Sequence, residues 1–353
     1  MSSLTLTQLA KESNVSLSLV SRLMREDPTL RVSEPTRRRV LATKARLERA
    51  AGRPLVVPSR VERARTFIAS LEAGLHRAPT SGTDSFNLYR LVQDIELELK
   101  ERGHVLAITY CDDDNRHKQA EQAADPKYPV DGVIYLWGHI QPAVRGTLLA
   151  QRVPHIVFHP WVAEYDDLQT IRPLKEEGFR QLVNHLVAKG HRRIGHVGCL
   201  KRRYPWAALA MLHAGLSLES PGLCRLDDDK PMELWGDWRG AAKRHFDAWL
   251  DEHPECTAVV TENDFAAFGV IDVLESRGLT VGRDISVASY GNVEPAMSSE
   301  SSPMLTTIDE QTPTLAKRIV VRLLEQFENP PTYGLHEVIP GKLIVRRSTG
   351  PVR

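Results

Sequence analysis

The chain is poor in cysteine and aromatic side chains, and it has no long apolar run. Four cysteines in 353 residues (Cys111, Cys199, Cys224 and Cys256) stand far apart and include no C-x-x-C pair. That spacing lacks the common zinc patterns, and reduced thiols in a cytoplasmic protein are the economical expectation. No stretch of about 18 apolar residues occurs, so neither a membrane span nor a membrane partner is expected. The N-terminus shows no basic segment leading into an apolar core, which argues against export. Catalytic signatures are missing as well: there is no G-x-S-x-G, P-loop, H-E-x-x-H or metal-ligand spacing. His159, Asp264 and the cysteines could be arranged as catalytic groups, but no enzyme, cofactor or metal is predicted.

What is present is ample core material and an uneven charge. Hydrophobic residues make up 42% of the chain, and a prior of about 150 residues per domain suggests two or three domains. The net charge of +1 hides an asymmetry: residues 1–65 carry 14 Lys and Arg against 6 Asp and Glu, and the remainder carries 32 against 39. A small basic head on a larger acidic body points to a polyanion as the partner of the head.

The head has the punctuation of three short helices. The first runs near Thr7 to Ser13, capped by Thr5 or Thr7, with Leu6, Leu9 and Ala10 facing inward. Asn14 follows where the chain turns sharply, and Asn tolerates the left-handed conformation. Val15 plugs the core and Ser16 caps a second helix. In "VSEPTRRRVLATKARL" Ser33 caps a third helix with Pro35 in its first turn, and Val40 and Leu47 are core positions. Helix, four-residue turn, helix and supporting helix is the helix-turn-helix plan, whose second helix enters the major groove of DNA. Val20 and Leu23 would hold that helix down. Arg22 suits a bidentate contact to guanine, Ser18 a base edge, and Leu17 a thymine methyl. Thr5, Thr7, Ser16, Ser21, Arg25, Ser33 and Thr36 suit phosphate positioning, and the Arg37-Arg38-Arg39 run adds electrostatic affinity.

"TLTQLAKESNVSLSLVSRLMRED" resembles the head of the LacI/GalR family of bacterial transcriptional regulators, which reads T-x-x-D-V-A-x-x-A-G-V-S-x-x-T-V-S-R-V-L-N. Ala10, Val15, Ser16, Val20, Ser21 and Arg22 match; Gln8 replaces Asp, Asn14 replaces Gly and Arg25 replaces Asn. In the family a hinge of the form N-Y-x-P-N-x-x-A-R-x-L follows and becomes a minor-groove helix. Here the stretch is "LERAAGRPLVVPSRVERARTF", Leu47 to Phe67, without the Tyr, the Asn or the spacing. Three readings stay open. "SRVERAR" folds into a hinge helix on DNA, "GRP" lays Arg53 in an A·T minor groove, or the segment is a flexible basic tether.

From about Thr66 strand-like runs alternate with helical periods, the pattern of doubly wound parallel sheets with ligands at the carboxyl ends of strands. "VDGVIYL", "VPHIVFH", "GFRQLVNHLVAKGHRRIGHVG", "TAVVTENDFAAFGVIDVLESRGL", "DISVASYGN", "PMLTTID" and "LIVRRST" also resemble the family body in its order. That resemblance implies two lobes of periplasmic-binding-protein-like (type I) architecture behind a small all-α head. The expected division is residues 1–48 for DNA binding, 49–65 for the linker and 66–353 for effector binding and dimerisation. Lobe one would take about 66–160 and 292–325, and lobe two about 161–291 and 326–346.

The resemblance further implies a small effector in the interlobe cleft. Trp238 in "GDWRG" and Asn263 in "TEND" fall at family effector positions; the alternatives are a packed core Trp and a helix N-cap Asn. His159 stands where members carry Asp, with Trp161 close behind, and Trp137 is a third aromatic. Two family anchors are absent: an Arg is replaced by Ala210 and an Asp by Gly291. Arg202 or Arg203 could substitute. An unusual sugar, a non-sugar effector and a degenerate cleft all remain possible, and the aromatic residues favour a sugar. The helix Phe86 to Glu101 puts Leu88, Val92, Ile95 and Leu99 on one stripe, for the core first and an interface second. Two heads on a homodimer would read a pseudo-palindromic operator, and no tetramerising heptad follows the body. The expected function is an effector-controlled transcriptional regulator of double-stranded DNA, a repressor of carbohydrate-utilisation genes. Rival readings are an exported solute-binding protein and a DNA-binding regulator that has lost its effector.

Overall fold

The computed structural model describes residues 6–24, 30–51, 64–72, 83–111, 113–125, 127–128, 130–136, 140–158, 166–199, 203–219, 221–226, 237–297 and 303–353. The chain divides into two compact units, Met1–Arg63 and Ala64–Arg353.

The first unit holds three helices, α1 (Leu6–Ser13), α2 (Leu17–Met24) and α3 (Glu34–Ala51). Leu9, Ala10, Val20, Leu23, Val40 and Leu47 form its buried core, and Val15, Leu19 and Met24 pack against it. Val20 and Leu23 of α2 are three apart, which places them on one side of the helix, while Arg22 between them is exposed. Asn14 takes a φ of 50°, the left-handed turn between α1 and α2 that an amide side chain tolerates. The Leu19 N–H then donates to Ser16 Oγ at 3.1 Å, so a hydroxyl satisfies a free donor at the start of α2.

The second unit is two lobes, each around a six-stranded sheet. Lobe one has the strand order β11-β5-β4-β3-β1-β2, with β1 (Thr66–Glu72), β2 (Val105–Cys111), β3 (Gly132–Leu136), β4 (His155–Phe158), β5 (Gln169–Leu174) and β11 (Leu335–Pro340). Every pairing within it is parallel. Lobe two has the order β12-β10-β9-β8-β6-β7, with β6 (Ile194–Gly198), β7 (Leu223–Arg225), β8 (Ala258–Thr261), β9 (Ser286–Tyr290), β10 (Thr306–Asp309) and β12 (Lys342–Ile344). Its one antiparallel pair is β10 with β12. Helices α4 (Thr83–Glu101) and α12 (Thr312–Glu328) pack on each other against the first sheet, and α9 (Trp238–Glu252) and α10 (Asp264–Ser276) do so in lobe two. The stripe Leu88, Val92, Ile95 and Leu99 of α4 is buried in the lobe-one core.

The sheets correct the expected lobe limits. Residues 169–174 and 335–340 belong to lobe one and residues 306–309 to lobe two, because β5 and β11 pair with each other while β10 pairs with β9. Which sheet a strand joins is decided by its hydrogen-bonded neighbour and not by its local hydrophobicity. The chain therefore crosses between lobes three times. It crosses at Leu174–Lys175 where β5 runs directly into α7 (Lys175–Ala188), at Glu310–Gln311 between β10 and α12, and at Gly341 between β11 and β12. Gln311 takes the left-handed conformation at φ 55° as it caps α12.

Candidate nucleic-acid interface and effector cleft

The exposed side of the head carries the residues that suit a duplex. Arg22 is exposed, as are Arg37, Arg38 and Arg39 on α3. Ser33 accepts the first helical N–H of α3, from Arg37 at 3.0 Å, and its hydroxyl lies 2.9 Å from that of Thr36. Two hydroxyls thus sit at a helix N-terminus, where the macrodipole favours a phosphate. Arg46 is tied to Glu12 at 2.7 Å, which clamps α3 to α1 and takes that cation from the set. The backbones of Thr7, Leu17, Ser18 and Ser21 lie on α1 and α2, but their side chains fall outside the described residues, as do Thr5, Arg25 and Arg53 altogether.

The carboxyl ends of the lobe-two strands meet in a buried polar cluster. Glu262 directly follows β8, 1% exposed, and its Oε2 accepts the Cys199 N–H at 3.2 Å across the end of β6. Gly198 makes room for it: a Cβ there would stand 2.6 Å from Glu262 Oε2 and 2.5 Å from His196 Nε2. Arg203 is fully buried. Its Nη1 donates to the Glu262 carbonyl at 2.5 Å, and its guanidinium lies 4.9 Å from the Tyr290 ring centre, which itself stacks on Phe179. A guanidinium leaves water only where carboxylate and ring compensate it. Arg203 is thus a packed part of lobe two rather than a loop side chain replacing a lost anchor.

The other expected cleft residues take quieter places. Trp238 begins α9, 4% exposed, within the lobe-two core. Asn263 caps α10, its Oδ1 accepting the Ala266 N–H at 3.0 Å. Asp264 is fully buried and holds the Val293 N–H and the Thr307 hydroxyl, each at 2.8 Å. Burial pushes its carboxyl above the ordinary range, with those hydrogen bonds pulling the other way. Ala210 is buried among Phe179, Met211 and Leu216. Trp137, His159, Trp161 and Arg202 lie outside the described residues.

The comparison with known proteins follows this geometry. A periplasmic binding protein-like domain model matches residues 183–349. The chain is 25% identical to the HTH-type transcriptional repressor PurR of Salmonella arizonae, over 99% of this chain and 98% of that protein. It is 27% identical to the lactose operon repressor of Escherichia coli K12, over 99% and 91%. Head and body alike are thus similar in sequence to these transcriptional repressors. A crystal structure of the lac repressor dimer bound to operator and the anti-inducer ONPF shares the fold, with a TM-score of 0.61, 22% identity and coverage of 99% of this chain and 100% of that one.

Within the two-lobed body, sequence reading missed the residues that link the lobes. Asn87 on α4 donates its Nδ2 to the Gly291 carbonyl at 3.0 Å and to Glu310 Oε2 at 3.2 Å. Glu310 in turn faces Lys175 at 3.5 Å, both nearly buried. The one available signal was a charged residue directly after an apolar strand, as in "AVVTE" and "LTTIDE". The partners lie more than a hundred residues away, so no local pattern announces them.

Proposed function

We propose that the chain is a sequence-specific transcriptional regulator, a repressor that binds a pseudo-palindromic operator as a homodimer. We further propose that a small carbohydrate in the interlobe cleft governs it. One observation carries the DNA-binding reading: α2 is held to its core by Val20 and Leu23, behind a left-handed Asn14 and a Ser16 cap, with Arg22 exposed on a basic unit. That is the arrangement a recognition helix needs, with phosphate donors beside it on α3. Residues 1–48 would be the DNA-binding domain, 49–65 the linker and 66–353 the effector and dimer body. The names of the relatives support repression, and the lactose operon repressor supports a sugar. Among the described residues no helix is long and apolar enough to cross a membrane, and a cytoplasmic location follows from the DNA partner.

The dimer reading rests on lobe one. Among the described residues β2 is an edge strand, and its Val105, Ile108 and Tyr110 are exposed, as is Leu97 of α4. An unpaired apolar strand edge invites a partner, and a second copy supplies one.

The test is selection from a random duplex library with wild type and Arg22→Ala. The wild type is expected to yield a symmetric site, and the variant to lose preference at one base pair per half-site by about 1–3 kcal/mol. Uniform weakening on every duplex would place Arg22 on phosphate, and a wild type with no preferred site would remove the regulator reading.

A further inference from the structure

Phe86 and Asn87 stand near the start of α4, a lobe-one helix, yet both serve lobe two. Phe86 packs against the lobe-two hydrophobic cluster that contains Trp238, Phe265 and Leu305. Asn87 is 3% exposed and spends both amide N–H groups on lobe two and its crossover, on the Gly291 carbonyl and on Glu310. Its Oδ1 has no hydrogen-bond partner among the described residues. The acceptors come from two distant parts of the chain: Gly291 ends β9, while Glu310 sits at the second crossover and faces Lys175 at the first. One amide therefore ties lobe one to lobe two and to the crossovers that any rotation of the lobes must bend.

Gly291 is what admits this arrangement. Its φ of 137° is a conformation that side-chain-bearing residues rarely adopt, and at that angle its carbonyl lies within reach of α4. The residue that removes a carboxylate expected to face an effector thus supplies a backbone acceptor to the protein itself. In the same way Arg203 is held within lobe two, by the Glu262 carbonyl and the Tyr290 ring.

We propose that the start of α4 is a latch: Phe86 and Asn87 of lobe one hold lobe two closed, through Gly291 and Glu310, with no effector bound. An effector then acts by displacing the latch. It must offer O–H or N–H donors to the Gly291 carbonyl and the Glu310 carboxylate in place of the Asn87 amide, and a donor to the idle Oδ1 strengthens its hold. The regulatory consequence rests on the reading that lobe arrangement reaches the DNA-binding head. The latch itself does not.

The experiment uses the full-length chain with Cys111→Ser and spin labels at Gln93→Cys on α4 and Ala248→Cys on α9, diluted into excess unlabelled subunit. The native Cys199, Cys224 and Cys256 are buried and do not compete for label. Without ligand, Asn87→Ala and Phe86→Ala are expected to lengthen and broaden the interlobe distance distribution. Asn87→Asp should do so further, because it sets a second carboxylate against Glu310. Amide exchange in 291–297 should rise about five- to ten-fold in the same variants, the loss of one buried hydrogen bond. Distances and exchange that stay at wild-type values in both Asn87 variants would overturn the latch. If an Asn87 variant fails to fold, Gly291→Ala moves the acceptor instead and must open the lobes by the same measure. Operator affinity is read on the same proteins, and a change of about ten-fold is expected. Opened lobes with unchanged operator affinity would leave the latch standing and overturn the reading that the cleft governs the head.

Discussion

Asp264 shows how the body treats an acid it cannot hydrate. Its carboxyl is fully buried at the first turn of α10, where Val293 and Thr307 donate to it and burial raises its proton affinity. A folded-state pKa above the ordinary 3.8 means that the folded state holds the proton more tightly than the unfolded chain. The group therefore contributes its full stability below that pH and loses it as pH rises through the folded value. Asp264→Asn keeps an acceptor for the Val293 N–H and has no charge to bury. Its melting temperature relative to wild type should improve as pH is raised from about 3 to 7. A variant that instead loses ground toward neutral pH would show that the two hydrogen bonds outweigh burial. Arg203 and Lys175 are also buried, each beside a carboxylate, Glu262 and Glu310, and the partner is what permits burial.

At the scale of elements, the sequence was most legible where local chemistry decides. Asn14, Ser16 and the spacing of Val20 and Leu23 announce a turn, a cap and an apolar stripe, and α1, α2 and the stripe of α4 form where those signals place them. The cap is open to a direct check. Ser16→Ala leaves the Leu19 N–H without its acceptor, so the head should lose about 1 kcal/mol and operator affinity should fall with it. Thermal unfolding of the head that does not change would mean that water replaces the hydroxyl without cost. Lobe membership was less legible, because no side chain of β5, β10 or β11 marks the sheet it joins and only pairing sorts them. The cleft was least legible. Trp238 and Asn263 have the residue types of a sugar site, yet the fold uses one as core and the other as a helix cap. Asn87 and Glu310 gave no local sign of each other, since what joins them is three-dimensional.

For the whole molecule the decisive quantity is how two heads are held together. The exposed Val105, Ile108 and Tyr110 on an edge strand give lobe one a self-complementary candidate. Ile108→Glu would set a charge in its centre and is expected to weaken self-association by at least about 2 kcal/mol, roughly thirty-fold. Sedimentation should then show monomer at concentrations where wild type is a dimer, with operator binding falling in step. A dimer that survives the substitution would place the interface elsewhere. The three crossovers at Leu174–Lys175, Glu310–Gln311 and Gly341 carry a different consequence. Neither lobe is a continuous stretch of gene, so no single break can donate one of them to another protein. Recombination can exchange the head at one junction, but it must inherit the sensing body as one indivisible piece.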